Sequence, residues 1–181
     1  MTRTRKYPEQ IRREAVRLVR AHRDEYDSEW AAITSVASKF GAVPQTVHGW
    51  VRRADVDDGV VDGVSSDERQ QIKNLQSVFK LIGETPEPTT CHAAEGLKKE
   101  HEALHEEQPA PDVLEAGNMG GAAKTEHLEI AMYEGLITKA EAMGEQDVVA
   151  LLQENLEQEE AALEKAQQFG RQLAQRTATV A

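Results

Sequence analysis

Cysteine, aromatic residues and long apolar runs are all scarce in this chain of 181 residues. The single cysteine, Cys91, excludes an intrachain disulfide, and nothing calls for an oxidising compartment. With three Phe, three Tyr and two Trp, aromatic residues make up 4% of the chain, and the core must be largely aliphatic. That composition disfavours a large β-rich fold and favours helices. No apolar run approaches the roughly 18 to 20 residues needed to span a bilayer, so no membrane partner is expected. The amino end is basic but lacks the apolar stretch of a secretory signal, which leaves a cytoplasmic protein as the expectation.

Basic residues are plentiful at one end and sparse beyond it. Residues 1–53 hold 11 Lys and Arg against 6 Asp and Glu, net +5, whereas residues 54–181 hold 10 against 26, net −16. The overall charge of −11 describes neither part. Such asymmetry suggests a nucleic-acid-facing arm joined to something else.

In the basic part, Ile11, Ala15, Leu18 and Val19 recur at helical spacing within Tyr7 to His22, with Pro8 tolerated in a first turn. Arg12, Arg13, Arg17, Arg20 and Arg23 occupy the other side. Ser28 is a natural N-cap for a second helix presenting Trp30, Ile33, Ala37 and Phe40 before Gly41. Pro44 opens a third helix through Val47, Trp50 and Val51 to Arg53. A helix-turn-helix needs a small residue at the helix crossing, a glycine in the turn and apolar pins on the second helix. Ala37, Gly41, Val43, Val47 and Trp50 fill those places. Gln45, Thr46, His48, Arg52 and Arg53 are left outward, and such side chains can meet base edges or phosphates. The alternative is an ordinary three-helix domain with a solvated basic face.

The tracts Arg5-Lys6-Tyr7-Pro8, Arg13-Glu14-Ala15-Val16-Arg17-Leu18-Val19, Ser28-Glu29-Trp30-Ala31-Ala32-Ile33 and Trp50-Val51-Arg52-Arg53-Ala54 resemble the small DNA-binding subunit of insertion-sequence transposases, over about residues 1–66. The resemblance implies a helix-turn-helix that recognises the terminal repeats of an element, with strand transfer left to a separate catalytic transposase subunit. It adds Arg5 and Lys6 to the expected DNA-binding set. No catalytic domain accompanies it here, so the chain is not expected to be an enzyme. The leucine zipper that continues this family is not matched after about Glu68.

Residues 55–66 are rich in Asp, Gly and Ser and read as a linker. A helix resumes at Ser66, with Asp67 and Glu68 at its positive end and an apolar stripe of Ile72, Leu75, Val78, Phe79 and Ile82 ending at Gly83. Three more helices follow, over about 93–107, from about 111 or 113 to 143, and from 146 to about 175. Asn118 to Gly121 weaken the start of the long one, which is expected to bend or begin late. Gly144 suits a short helix hairpin.

Two apolar faces in this part carry carboxylates. Glu126, Ile130, Tyr133 and Ile137 share one face with Glu129 at its edge, and Leu152, Leu156, Glu159, Leu163 and Ala166 share another. A carboxylate facing a bundle core is costly unless it is paired, protonated or bound to metal. The alternative is a wide polar margin in a Glu-rich segment. Phe79-Lys80-Leu81-Ile82-Gly83-Glu84-Thr85-Pro86, Cys91-His92-Ala93-Ala94-Glu95-Gly96-Leu97, Lys124-Thr125-Glu126-His127-Leu128-Glu129-Ile130-Ala131-Met132-Tyr133 and Leu151-Leu152-Gln153-Glu154-Asn155-Leu156-Glu157-Gln158-Glu159-Glu160 resemble the YciE/YciF-type bacterial ferritin-like family, over about 69–175. That resemblance implies a four-helix bundle, a link to stress responses and a di-metal centre, and it marks Glu126, Glu129 and Glu159 as ligand positions. The first helix of such a bundle and the ligand-bearing start of the second have no counterpart here. A complete centre is therefore not expected in one chain; iron or manganese would need a dimer to complete the bundle.

The resulting expectation is an all-α fusion. It has a three-helix helix-turn-helix domain at 1–54, a linker at 55–66 and a partial ferritin-like helical bundle at 67–181. Sequence-specific binding of double-stranded DNA without catalysis is the leading function. The alternatives are a stress-associated ferritin-like protein with a degenerate carboxylate site, forming a homo-oligomer through an exposed bundle face, and a fusion without selected function.

Overall fold

The computed structural model describes residues 7–61 and 63–178, and every regular element among them is helical. The chain divides into two compact units, Met1–Arg69 and Gln70–Ala181. The first holds α1 (Glu9–His22), a 3-10 turn (Arg23–Glu25), α2 (Glu29–Lys39) and α3 (Pro44–Asp57). α4 (Ser66–Ile82) opens in the first unit and continues as the first helix of the second, followed by α5 (His92–Glu106), α6 (Pro111–Met143) and α7 (Gln146–Ala178).

In the first unit the helix starts follow their caps. The Ser28 hydroxyl accepts from the Ala31 amide at the head of α2, and Pro44 opens α3, where its missing N–H costs nothing. Between them Gly41 takes φ +59°, a conformation that a Cβ would strain, and the Ala42 amide bonds the Ala37 carbonyl. Ala15, Val19, Ile33, Val36, Ala37, Val47 and Val51 form the core. Trp30 is not part of it: it stands in the first turn of α2, a turn before Ile33 enters the core, and stays 47% exposed. Tyr7 secures the turn instead, its hydroxyl donating to the Gly41 carbonyl at 3.1 Å and its ring meeting Trp50 edge-on.

α3 runs into the segment expected as linker, through Asp57. The cause is electrostatic. Arg20 of α1 reaches Asp55 at 2.6 Å and Asp58 at 2.7 Å, pinning the end of α3. Both contacts are charge-assisted, and the one to Asp55 is the better shielded from water. α4 then starts on a reciprocal cap, in which the Ser65 hydroxyl accepts from the Glu68 amide and the Glu68 carboxylate accepts from the Ser65 amide.

In the second unit α6 and α7 form an antiparallel hairpin turned by Gly144 at φ +79°, with the Glu145 amide bonded to the Ala140 carbonyl. Tyr133, Ile137, Ala140, Val148, Leu152 and Leu156 fill the seam, and Leu75 and Val78 of α4 pack against it. Ile72 and Ile82, expected on the same stripe, are 47% and 45% exposed, because α4 is rotated to bury Asn74. α6 starts at Pro111 and is helical without a break to Met143. Leu104 of α5 lies so close over Gly117 that a Cβ there would fall 2.4 Å from its Cδ2. Contact with α5 offsets the poor helix propensity of the glycines. No helix among the described residues is long and apolar enough to cross a membrane.

Candidate functional site

One candidate surface is the outer face of α3. With Val47 and Val51 buried, the helical period turns Gln45, His48, Gly49 and Arg52 outward as one strip, all of them exposed. Thr46, in the first turn, is half-buried at its margin. Arg53 leaves the strip: its guanidinium donates to the Val64 carbonyl at 3.3 Å and lines a groove of about 840 Å³ with Arg12, Arg13, Arg17, Val16 and Trp50. Arg5 and Lys6 lie outside the described residues.

The arginines of α1 are largely engaged. Arg13 pairs with Glu9, Arg17 grips both oxygens of Glu14, and Arg20 holds Asp55 and Asp58. Arg52 forms no ion pair among the described residues. His48 is steadied by its neighbour, with the Trp30 ring edge-on at 6.0 Å and 66°. Gly49 sits mid-strip, and a Cβ added there would meet nothing within 4 Å. Packing inside the unit does not require a glycine at that place, although its presence in a helix costs about 1 kcal/mol relative to alanine.

The second candidate lies between α6 and α7. Glu126, Glu129 and Glu159 each bring a carboxylate oxygen within 4.8 Å of the others. All three expected ligand positions are thus brought together. Glu159 is 5% exposed, Glu126 is half-buried, and Gln71 of α4 donates to Glu159 Oε1 at 2.9 Å. Burial, reinforced by the Glu126 and Glu129 carboxylates, pushes Glu159 up to about 8. His127 stays exposed, outside the cluster.

Beside this cluster is a buried polar chain that pattern reading misses. Asn74 Nδ2 donates to Asn155 Oδ1 at 2.8 Å, and Asn155 Nδ2 donates to Tyr133 Oη at 3.1 Å. Asn155 is 0% exposed and Asn74 3%. Burial raises the Tyr133 hydroxyl above its ordinary range, with the hydrogen bond from Asn155 acting in the other direction. A signal existed, since Asn155 precedes Leu156 one turn after Leu152 and so falls on an apolar arc. Met132, Leu136 and Met143 remain exposed on α6.

Residues 53–179 match the family described as Domain of unknown function (DUF892). The chain belongs to this family. The chain is similar to protein YciF of Escherichia coli (strain K12), with 31% identity over 126 residues, 70% of this chain and 64% of YciF. The chain thus spans just under two thirds of the length of that relative. The crystal structure of the E. coli stress protein YciF shares the fold, with a TM-score of 0.56 at 24% identity over 92% of this chain and 87% of that one. The carboxylate cluster therefore stands in a helical DUF892 framework. A different similarity is 43% identity over 74 residues to the insertion element IS6110 uncharacterized 12.0 kDa protein of Mycobacterium tuberculosis, 40% of this chain and 68% of that protein. The insertion element IS629 uncharacterized 12 kDa protein of Shigella sonnei is 40% identical over 77 residues, 42% of this chain and 71% of that one. Both resemblances read from the sequence are thereby found in one chain.

Proposed function

We propose that the first unit binds duplex DNA at the terminal repeats of an insertion element, reading bases with Gln45, Thr46 and His48 and contacting phosphate with Arg52. The observation that carries this reading is the outward strip of α3, where the Arg52 guanidinium, without an ion pair among the described residues, stands beside polar side chains and a glycine with free space above it. Phosphate neutralisation supplies salt-dependent affinity, and base-edge contacts supply preference. A bare backbone at Gly49 lets a partner approach the helix closely. Similarity to the two insertion-element proteins supports the same reading. In it the chain is a binding protein, and a separate catalytic subunit would perform any strand transfer.

Anisotropy titration of full-length protein against a terminal-repeat duplex and a scrambled one tests this. Arg52→Ala should weaken binding to both by roughly tenfold and flatten the salt slope by about one ion, while Gln45→Ala should act mainly on the repeat. Binding that ignores salt, or none at low salt, sinks the proposal.

A second reading, favoured by the converging carboxylates, gives the second unit a single hard divalent cation held by Glu126, Glu129 and Glu159. Three carboxylates suit one such ion and fall short of the ligands that a two-ion centre needs. Because Glu159 must lose its proton first, affinity should rise with pH through about 8. Calorimetry with manganese is expected to give at most one ion per chain, abolished by Glu159→Gln. Two tightly held ions per monomer would refute this stoichiometry.

A further inference from the structure

Trp30 is a large apolar side chain that the core of the first unit leaves unused. It stands in the first turn of α2, just after the Ser28 cap, with 47% of its surface in water. Its ring meets His48, which belongs to the outward strip of α3. The strip therefore continues across the helix pair onto the indole. Exposed tryptophan is rare because so large a ring gains most when covered, and its N–H still seeks an acceptor. A sugar–phosphate backbone offers both an apolar sugar edge and anionic oxygens. The charge beside this surface fits the same occupant, since Arg52 lacks an ion pair among the described residues, whereas Arg13, Arg17 and Arg20 are matched to acids. Glu29, adjacent in sequence, lies about 100° round the helix from Trp30.

We propose that Trp30 is a DNA-contacting residue that carries the interface from α3 onto α2 by seating its exposed indole on the sugar–phosphate backbone. This rests on the DNA-binding reading above and goes beyond it by naming a second helix and an aromatic contact. Because the contact is to backbone, Trp30 contributes to affinity on any sequence, and through His48 it holds a base-reading side chain in place.

The test uses full-length protein, a labelled terminal-repeat duplex and a scrambled duplex, with acrylamide quenching of tryptophan emission read in parallel. Duplex should shield wild-type emission from acrylamide. In Trp30→Phe, where Trp50 is the remaining tryptophan, that shielding should vanish while affinity stays near wild type. Trp30→Ala should lose roughly tenfold in affinity on both duplexes with its helical circular dichroism intact. Wild type that binds DNA while Trp30→Ala binds equally well, or shielding that survives in Trp30→Phe, overturns the inference and leaves the α3 reading standing. Failure of wild type to bind either duplex removes both. A change in light-scattering mass of Trp30→Ala with unchanged affinity would assign the indole to contact between copies and overturn it too. Should Trp30→Ala fail to fold, the quenching of Trp30→Phe decides alone.

Discussion

Asn155→Ala is expected to destabilise the second unit by about 3 kcal/mol, a large share of what a small helical unit possesses. The amide is fully buried and serves three partners: Asn74 donates to it, and it donates to the Tyr133 hydroxyl and, at 3.4 Å, to the Gln71 carbonyl. Truncation would leave the Asn74 amide and the Tyr133 hydroxyl without that partner in a buried seam and open a small void. Urea unfolding followed by circular dichroism measures it through the shift in midpoint. Replacing both asparagines, in Asn74→Leu with Asn155→Leu, should recover much of the loss, because no orphaned amide remains. A shift below about 1 kcal/mol for the single variant would show that water takes over these contacts.

Glu159→Gln should stabilise the metal-free protein at alkaline pH by about 2 kcal/mol and have little effect near pH 4.5. The folded protein holds the Glu159 proton up to about 8, above the ordinary carboxylate value of 4.5. Between those values the folded state binds a proton that the unfolded chain has released. Stability is therefore full below pH 4.5, falls as pH rises and levels off beyond 8. Glutamine mimics the protonated acid and can still accept from Gln71. The effect stays modest because Glu126 remains partly open to water, which screens the cluster. Thermal melts in chelator from pH 4.5 to 9 should show a sloping wild type and a flat variant; parallel curves would mean that Glu159 ionises normally.

Local chemistry made much of this molecule readable. Ser28, Gly41 and Pro44 mark the ends of α2 and α3 because caps and left-handed glycines act within a few residues, and Gly83 and Gly144 do the same for the ends of α4 and α6. Glu126, Glu129 and Glu159 were legible as a set because helical periodicity puts them beside leucine, isoleucine and tyrosine on facing arcs. What periodicity cannot supply is rotation against a partner. On α4 the expected stripe is partly right: Leu75 and Val78 pack in the seam, whereas Ile72 stays in water and the arc of Gln71, Asn74 and Val78 faces inward. Only the complementary asparagine on α7, 81 residues away, selects that arc. Trp30 escaped for a related reason, since hydrophobic character assigns a tryptophan to the core, whereas it stands a turn before Ile33 enters that core.

The grip of Arg20 on Asp55 and Asp58 has a practical consequence for dividing the protein. A cut after Arg53, where the charge changes sign along the chain, would yield a fragment of net +5 whose Arg20 has lost both acids. A cut after Arg69, at the limit of the compact unit, retains 12 Lys and Arg against 12 Asp and Glu. That piece is electrically neutral, and the whole formal charge of −11 then resides in residues 70–181. The two fragments share α1, α2 and most of α3, yet would migrate differently on ion exchange, and only the longer one carries the charge balance that α1 has in the intact chain.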